Sequence, residues 1–126
     1  MSMKIKIGIN GMGRIGRMVV RSIFQNKYKS IEIKHINSRS NEEVCSNLLK
    51  NDSIHGRFDA KVKFKKNQII INNKKISFSQ ETDISKINWK KYNVDYVLEC
   101  TGKFNSKDKL LPCLKNGAKN VIVSAP

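Results

Sequence analysis

The stretch that decides the fold is Lys4-Ile-Lys-Ile-Gly-Ile-Asn-Gly-Met-Gly-Arg-Ile-Gly-Arg17, near the start of the 126-residue chain. Its first part, Lys4 to Asn10, is typical of a buried strand, and it runs directly into three glycines with the spacing G-x-G-x-x-G. In such a turn Gly11 allows the tight bend, Gly13 permits a close approach of the backbone to a phosphate, and Gly16 lets a following helix pack closely on the strand. The pattern therefore predicts a phosphate-binding turn.

A helical pattern follows the glycines, from Arg14 to about Gln25, with apolar or small residues at helical spacing. The N-terminus of such a helix directs free N–H groups and a positive dipole end at the turn. A glycine turn placed between a strand and a helix predicts a site for the pyrophosphate of a dinucleotide. The alternative is a glycine-rich turn that binds nothing. The positions with helical spacing are Ile15, Met18, Val19, Ser22 and Ile23.

Strand and helix signals continue to alternate after this unit. Ile31 to Asn37 is a second strand, and Asn41 is placed to cap a second helix. Parallel strands need long connections with right-handed crossovers. The sequence therefore predicts an α/β fold, a doubly wound and mainly parallel sheet of the Rossmann type, in one domain that spans residues 1–126. The second helix is expected to hold Glu42 and Glu43 in its first turn and Val44, Leu48 and Leu49 on its inner face.

The middle of the chain breaks this alternation. Three short strands, Ala60 to Phe64, Gln68 to Ile71 and Lys75 to Ser79, are joined by turns that contain asparagine. Asparagine tolerates the left-handed conformation of tight hairpins, so we expect a small antiparallel meander inserted into the sheet or appended to it. The remaining predicted elements are a helical turn at Asp83 to Trp89, a strand from Val94 to Cys100, a helix that Ser106 caps and that runs to about Asn116 and stops at Gly117, and a last strand from Asn120 to Ser124.

The composition restricts the class of protein. The formal net charge is +15, and 20 of the 25 basic residues are lysines spread along the whole chain. Arginine is the side chain suited to bidentate recognition of phosphates and guanines, so the charge indicates non-specific binding of polyanions at low salt rather than dedicated nucleic-acid recognition. A nucleic-acid-interacting domain that retains the fold remains an alternative.

Cysteines and hydropathy exclude further classes. Cys45, Cys100 and Cys113 are odd in number and widely spaced, so we expect neither a disulfide framework nor a metal site. No segment has the length and hydropathy of a membrane span or a leader, and we expect a cytoplasmic protein with no membrane partner. His35, inside the second strand, is expected to lie in the core or at an edge.

Four motifs occur in a recognisable order and spacing along the chain. They are Ile9-Asn-Gly-Met-Gly-Arg-Ile-Gly-Arg17, Asn51-Asp-Ser-Ile-His-Gly-Arg-Phe58, Glu99-Cys-Thr-Gly-Lys-Phe104 and Gly117-Ala-Lys-Asn-Val-Ile-Val-Ser-Ala-Pro126. Together they resemble the N-terminal, dinucleotide-binding part of the glyceraldehyde-3-phosphate dehydrogenase family. The resemblance implies that the C-terminal catalytic domain is absent and that the parent enzyme is a homotetramer.

The resemblance implies which residues contact the dinucleotide. Main-chain N–H groups of Arg14 and Ile15 would face the pyrophosphate, and Ser124 would lie near the nicotinamide. For Asn10, Thr101 and Ser124 the alternative is a purely local role in satisfying turns and strand ends. His55, in the second motif, is expected to pack in a loop or at a subunit contact. The implied contacts are Asn10, Gly11, Gly13, Arg14, Ile15, Thr101, Gly102, Phe104 and Ser124.

Two positions depart from the family pattern. An Asp commonly follows the Asn at the end of the second strand, where it binds the ribose 2′-hydroxyl, but here Ser38 stands there, followed by Arg39 and Ser40. A carboxylate would repel a 2′-phosphate and a guanidinium would attract it, so we expect NADP or dual use in place of NAD alone. The alternative is an ordinary polar loop that binds NAD less tightly. Thr82 replaces an Arg that often lies near the adenine, which should weaken contacts there.

The family's reaction oxidises an aldehyde phosphate with phosphate to an acyl phosphate, through a thioester on a cysteine and with a histidine as base. The Ser-Cys-Thr-Thr segment of the nucleophile does not occur among residues 1–126, and Cys100 is expected to be a buried, unactivated thiol. We therefore expect a catalytically inactive piece of a dehydrogenase. The alternative is a stand-alone nucleotide-binding module.

Overall fold

The computed structural model describes residues 4–26, 29–52, 56–102 and 107–124. Strands and helices alternate at both ends of the chain, as predicted, and strands alone follow one another in the middle. Two short 3₁₀ turns, Ile84–Lys86 and Trp89–Tyr92, lie between this run of strands and the strand Tyr96–Glu99. The elements are β1 Ile5–Asn10, α1 Arg14–Gln25, β2 Ile31–Asn37, α2 Glu42–Lys50, β3 Asn51–Asp52, β4 Gly56–Arg57, β5 Val62–Lys65, β6 Gln68–Ile71, β7 Lys74–Ser79, β8 Tyr96–Glu99, α3 Lys107–Lys115 and β9 Asn120–Val123.

The main sheet has seven strands in the order β5-β6-β7-β2-β1-β8-β9. The pairings from β7 through β2, β1 and β8 to β9 are all parallel. From β1 the chain moves outward to β2 and β7, and it then returns to place β8 on the other side of β1. This reversal creates a crevice at the carboxyl ends of β1, β2 and β8, which is where open α/β sheets bind ligands. The predicted Rossmann-type fold is confirmed.

The antiparallel meander is appended at one edge of the sheet. β6 pairs antiparallel with both β5 and β7, and β7 joins the parallel part through β2. Asn67, Asn72 and Asn73 adopt φ values of 63°, 49° and 69° in the two connecting turns. Since asparagine is among the few non-glycine residues that accept this conformation, the turns form as the sequence predicts.

The two faces of β1 carry different cores. Ile7 and Ile9 belong to a cluster with residues of α1 and α2. Gly8, between them, faces Trp89 of a second cluster, and a Cβ at Gly8 would lie 2.3 Å from the Trp89 ring. The fully buried indole thus packs directly on the central strand, because glycine leaves room for it.

The Arg21 side chain joins α1 to the C-terminal end of α2. The side chain is only 4% exposed, and its Nε and Nη2 donate to the Leu49 carbonyl oxygen at 3.1 and 2.9 Å. Nη2 also donates to the Gly56 carbonyl oxygen at 2.6 Å, and the guanidinium lies 5.3 Å from the centre of the Phe58 ring. A cation at the C-terminal end of α2 satisfies carbonyls that have no helical partner.

The predicted inner face of α2 is wrong for two of its three residues. Leu49 is buried as expected, but Val44 and Leu48 are 43% and 38% exposed. Cys45 is buried with Leu49, because residues four apart share one side of a helix and Val44 and Leu48 form a neighbouring stripe.

Several predicted ends differ from those observed. β1 begins at Ile5, β5 is Val62–Lys65, and β8 ends at Glu99. The helical turn expected at Asp83 to Trp89 is split into the two 3₁₀ turns. The cap predicted at Ser106 and the packing predicted for His55 lie outside the described residues.

An apolar groove, here called the α1–β9 groove, lies open between α1 and the sheet. Its volume is about 720 Å³, and its lining is almost wholly apolar. Several of the lining side chains are 42–52% exposed, namely Ile5, Ile15, Met18 and Ile122. The apolar residues of α1 therefore lie on two sides of the helix, one in the core and one on the groove. In the described part of the chain no helix is long and apolar enough to cross a membrane.

We expect residues 1–126, purified alone, to bind a hydrophobic dye such as anilinonaphthalene sulfonate and to self-associate, because apolar surface of this extent is exposed. Ile122→Ser should lower dye fluorescence with little change in melting temperature. Phe64→Ser is the matched control, since Phe64 is 44% exposed but does not line the groove. A dye-silent monomer with a reversible, cooperative melt would contradict this expectation.

Candidate functional site

The turn between β1 and α1 is shaped by a close contact between its glycines. Gly11 has φ of +102°, and a Cβ there would lie 2.8 Å from Thr101 Cγ2 and 2.9 Å from the Thr101 nitrogen. A Cβ at Gly16 would lie 2.1 Å from the Gly11 carbonyl oxygen. Conformation and packing within the chain therefore explain both glycines.

Gly13 has no such explanation. Its φ of −72° and ψ of −163° are extended backbone that any residue adopts, and a Cβ there would meet no heavy atom within 4 Å in the described part of the chain. The only consequence of glycine at this position is that the space in front of the turn stays open. An open space at the N-terminus of a helix is the geometry that a phosphate needs.

The first turn of α1 is suited to an anion. Gly13 is the N-cap residue, no side chain caps the helix within the described chain, and the first turn holds no acidic residue. Because the first helical hydrogen bond runs from the Arg17 nitrogen to the Gly13 oxygen, the preceding amides have no partner within the helix. Arg14 begins the helix and is exposed. Amides, dipole and guanidinium all favour a negative group here.

A cavity of about 330 Å³ lies beside this turn, at the carboxyl ends of β1, β2 and β8. It gathers six of the predicted contact residues in one place: Asn10, Gly11, Gly13, Ser38, Arg39 and Thr101. Sequence reasoning did not assign the other lining residues to the site as contacts: Met12, Asn37, Glu81, Thr82, Ile84 and Cys100.

Four of the remaining predicted residues are described, and none of the four lines the cavity. Arg14 and Ile15 are exposed at the start of α1, and Gly102, also exposed, follows Thr101 with φ of +77°. Ser124 follows β9, where its nitrogen and Oγ donate to the Glu99 carbonyl oxygen at 2.9 and 3.1 Å. Phe104 lies outside the described residues.

In the turn after β2, one polar side chain is buried and the next two are exposed. Ser38 is 6% exposed, and its Oγ accepts hydrogen bonds from the Ser40 nitrogen at 3.2 Å and from the Cys45 thiol at 3.3 Å. Arg39 and Ser40 are exposed at the rim. The Ser38 hydroxyl thus faces inward, and the two residues after it face solvent.

A chain of buried and half-buried polar side chains, here called the strand-end network, crosses four neighbouring strands below the cavity. Asn10 Nδ2 donates to Glu99 Oε2 at 2.7 Å, and Asn37 Nδ2 donates to Asn10 Oδ1 at 2.8 Å. Ser79 Oγ donates to Asn37 Oδ1 at 2.6 Å and lies 2.8 Å from His35 Nε2. Of this network the sequence singled out only Asn10 as a site residue, although each member except His35 is the last residue of its strand.

His35 closes the network as a neutral ring. Because Ser79 has a single proton and gives it to Asn37, Nε2 of His35 must donate to Ser79 Oγ. The ring stacks on Tyr92 with centroids 3.9 Å apart. Burial, assisted by the positive charge of Lys91, lowers the pKa of His35 from 6.5 to about 4. Of the two positions expected for His35, the core and the edge, the structure shows the core.

The comparisons with known proteins agree with this geometry. Residues 5–107 match the family model described as "Glyceraldehyde 3-phosphate dehydrogenase, NAD binding domain". The chain belongs to the glyceraldehyde-3-phosphate dehydrogenase family. It is 42% identical over 124 residues to glyceraldehyde-3-phosphate dehydrogenase 2 of Bacillus subtilis (strain 168). This alignment covers 98% of this chain and 36% of that protein.

Two further relatives give the same result. The chain is 42% identical over 121 residues to glyceraldehyde-3-phosphate dehydrogenase of Thermotoga maritima and 43% identical over 122 residues to that of Monascus purpureus, and each alignment covers 96% of this chain. In both cases it covers 36% of the relative. The chain therefore spans about a third of the length of these relatives, and it is the dinucleotide-binding part of a glyceraldehyde-3-phosphate dehydrogenase.

The cysteines of this family member are unactivated thiols. Burial raises the pKa of Cys45 and of Cys100, and it raises the pKa of Cys113 to about 11, with Glu99 adding to the effect. Cys100 is the one that lines the cavity. Thiols with raised pKa values are poor nucleophiles at neutral pH. Among the described residues there is also no group of three or more His, Cys, Asp and Glu side chains that could hold a metal ion.

The lowered pKa of His35 predicts a loss of stability in acid. Between about pH 6.5 and pH 4 the unfolded chain binds a proton at this residue and the folded chain does not, so stability is complete above pH 6.5 and falls as the pH approaches 4. The shift corresponds to about 3 kcal/mol. We expect urea unfolding of His35→Gln to show a shallower decline between pH 7 and pH 4 than the parent, since the carboxylates are common to both proteins. Parallel declines would show that His35 does not carry the effect.

Proposed function

We propose that the crevice binds a nicotinamide dinucleotide with its pyrophosphate on the amides of Arg14 and Ile15. The observation that carries this proposal is the open space in front of Gly13, which nothing in the described fold requires. The exposed first turn of α1 supplies the donors and the positive dipole end. The cavity beside it lies at the lower end of the size range of ligand pockets.

The two halves of the dinucleotide are assigned to the two sides of this turn. The adenosine half lies toward Ser38, Arg39 and Thr82, because these residues follow β2 and β7 on one side of β1. The nicotinamide half lies toward Thr101 and Ser124 at the ends of β8 and β9, on the other side. Gly102 belongs to the same side because it follows Thr101, and Asn10 lies between the halves. The proposed contact from Phe104 falls outside the described residues.

We further propose that the protein containing this chain oxidises an aldehyde phosphate with phosphate to an acyl phosphate, as a homotetramer. The coenzyme supplies the hydride acceptor in such a reaction. The nucleophilic thiolate and the base would come from sequence beyond residues 1–126, because the three thiols here have raised pKa values. A chain of this length acting as a non-catalytic nucleotide-binding module is the second candidate, and the same lack of an activated thiol favours it. The net charge of +15 supports non-specific polyanion binding at low salt in either case.

For the coenzyme we propose NADP or dual use. The rim of the cavity offers the Arg39 guanidinium and the Ser40 hydroxyl to a 2′-phosphate. The hydroxyl of Ser38 is engaged by Ser40 and Cys45, so its contribution is the absence of a carboxylate rather than a new contact. Glu81 opposes this preference, because it lines the same cavity with a negative charge. Because the positive charge of Arg39 favours NADP and the negative charge of Glu81 opposes it, we expect both coenzymes to bind.

Substitutions at two glycines separate ligand binding from folding. In Gly13→Ala the new methyl group enters the proposed pyrophosphate space, so we expect NADH affinity to fall about tenfold or more while the free energy of unfolding changes by less than about 1 kcal/mol. In Gly16→Ala the methyl group meets the Gly11 oxygen, and the free energy of unfolding should fall by about 1–3 kcal/mol. NADH fluorescence titration and urea unfolding measure the two effects.

The same pair tests the proposed reaction. In the protein as its gene encodes it, phosphate-dependent reduction of NAD or NADP by glyceraldehyde 3-phosphate should be present, and Gly13→Ala should raise the KM for the coenzyme. Unchanged NADH affinity in Gly13→Ala would overturn the proposed binding mode. Coenzyme binding without turnover would favour the nucleotide-binding module.

Coenzyme choice is tested by Ser38→Asp, with Ser38→Ala as the matched control. We expect the aspartate variant to lower the affinity for NADPH relative to NADH by about tenfold or more, because it places a like charge beside the 2′-phosphate. The alanine variant removes the hydroxyl without adding charge, so the ratio should stay within about twofold of the parent. Parallel titrations with both coenzymes give the ratio, and an equal ratio in all three proteins would contradict the assignment of this turn.

A further inference from the structure

Glu99 is the most buried carboxylate in the described chain, and it ends β8 next to Asn10 of β1. It has no exposed surface, and its oxygens accept hydrogen bonds from Asn10 Nδ2 at 2.7 Å, from the Thr101 nitrogen at 3.1 Å and from Thr101 Oγ1 at 2.5 Å. Neither ion pair found among the described residues includes it. A carboxylate with these partners ties the end of β1 to the loop that follows β8.

The orientation of Asn10 is fixed from both sides. A carboxylate only accepts, so Asn10 must turn its NH₂ group to Glu99 and its oxygen to Asn37. Asn37 cannot reverse in response, because its NH₂ group also donates to the Glu81 carbonyl oxygen at 2.9 Å and its oxygen accepts from the Glu81 nitrogen at 2.9 Å. The main chain at Glu81 thus fixes the orientation of Asn37 on one side of Asn10, and Glu99 accepts from Asn10 on the other side.

Resting on the proposed dinucleotide site, we infer that Glu99 is a positioning residue for the pyrophosphate and nicotinamide half of the ligand. Its hydrogen bonds place Thr101 against Gly11, where a Cβ on Gly11 would touch both the side chain and the main chain of Thr101. They therefore set the distance between the turn that binds the pyrophosphate and the loop that carries the nicotinamide side. The adenosine side is insulated from Glu99 by Asn37.

Glu99→Gln tests this inference because it keeps the size of the side chain and introduces one donor. If the new NH₂ group faces Asn10, two donors oppose each other, and Asn10 cannot turn without opposing Asn37. If it faces Thr101, it opposes the Thr101 amide. In every orientation two donors face each other where one hydrogen bond of Glu99 was, so NADH affinity should fall about tenfold.

The chain offers a reciprocal variant that restores every hydrogen bond. In the double variant N10D/E99Q the carboxylate moves to position 10, where it accepts from Asn37 and from the new amide at position 99. The oxygen of that amide accepts both hydrogen bonds from Thr101. Net charge and size are unchanged and every hydrogen bond has a partner again, so NADH should bind the double variant more tightly than it binds either single variant. N10D alone places two carboxylates in contact and should bind NADH weakly.

The experiment uses the protein as its gene encodes it and compares NADH with AMP as probes, by fluorescence titration and calorimetry. AMP has the adenosine and only one of the two phosphates and lacks the nicotinamide half, so its affinity in Glu99→Gln should fall much less than that of NADH. Ile69→Ala is the control for lost stability, because Ile69 is fully buried in β6, far from the crevice along the sheet. It should lower the melting temperature without changing either affinity.

Thr101→Val keeps the inference testable if Glu99→Gln does not fold, since it removes one donor to Glu99 and keeps the shape. It should weaken NADH binding about threefold and leave AMP binding unchanged. Equal losses of NADH and AMP affinity in the variants would overturn the inference in favour of a purely structural role, and so would failure of N10D/E99Q to recover. Failure of the parent protein to bind NADH would instead overturn the proposed function.

Discussion

The approach of α1 to the end of β1 is the constraint on which the rest of the site depends. The Gly11 oxygen lies where a Cβ on Gly16 would be, so helix and strand meet without intervening side chains. This contact brings the first amides of α1 to the carboxyl edge of the sheet, at the point where the strand order reverses. Arg21 stabilises the position of α1, because its side chain donates hydrogen bonds to a carbonyl oxygen at the C-terminal end of α2. A site for an anion thus follows from packing, before any ligand is considered.

The strand-end network explains how the polar side chains that end four neighbouring parallel strands find hydrogen-bond partners. Glu99, Asn10, Asn37 and Ser79 each end a strand, and each supplies the partner that its neighbour lacks. In a buried setting an unpaired donor or acceptor is expensive, so such a chain has one consistent direction of hydrogen bonding. Its direction runs from the neutral ring of His35 to the carboxylate of Glu99. The network is both a support for the crevice floor and a constraint on its width.

The sequence predicted what local patterns encode. The glycine spacing predicted the β1–α1 turn, and the asparagines at 67, 72 and 73 predicted the hairpins, because each rests on backbone conformation. The network was not predicted, since its members lie up to 89 residues apart and meet only through the strand order. The inner face of α2 was misassigned because Val44 and Leu48 fit the helical period as well as Cys45 and Leu49 do. The inward turn of the Ser38 hydroxyl depends on Cys45, which a reading of the loop alone does not supply.

α1 shows why helical periodicity alone underdetermines packing. Val20 and Ile23 lie in the core, whereas Ile15 and Met18 line the α1–β9 groove, so the apolar surface of this helix is wider than its core contact. The helix is therefore held on one side, by the core and by Arg21, and is bare on the other. Since the amides of the site are the first turn of this same helix, their position rests on the anchored side. The Arg21 hydrogen bonds to α2 and the Gly16 contact with Gly11 thus act together, and the anion-binding geometry at Gly13 is their joint result.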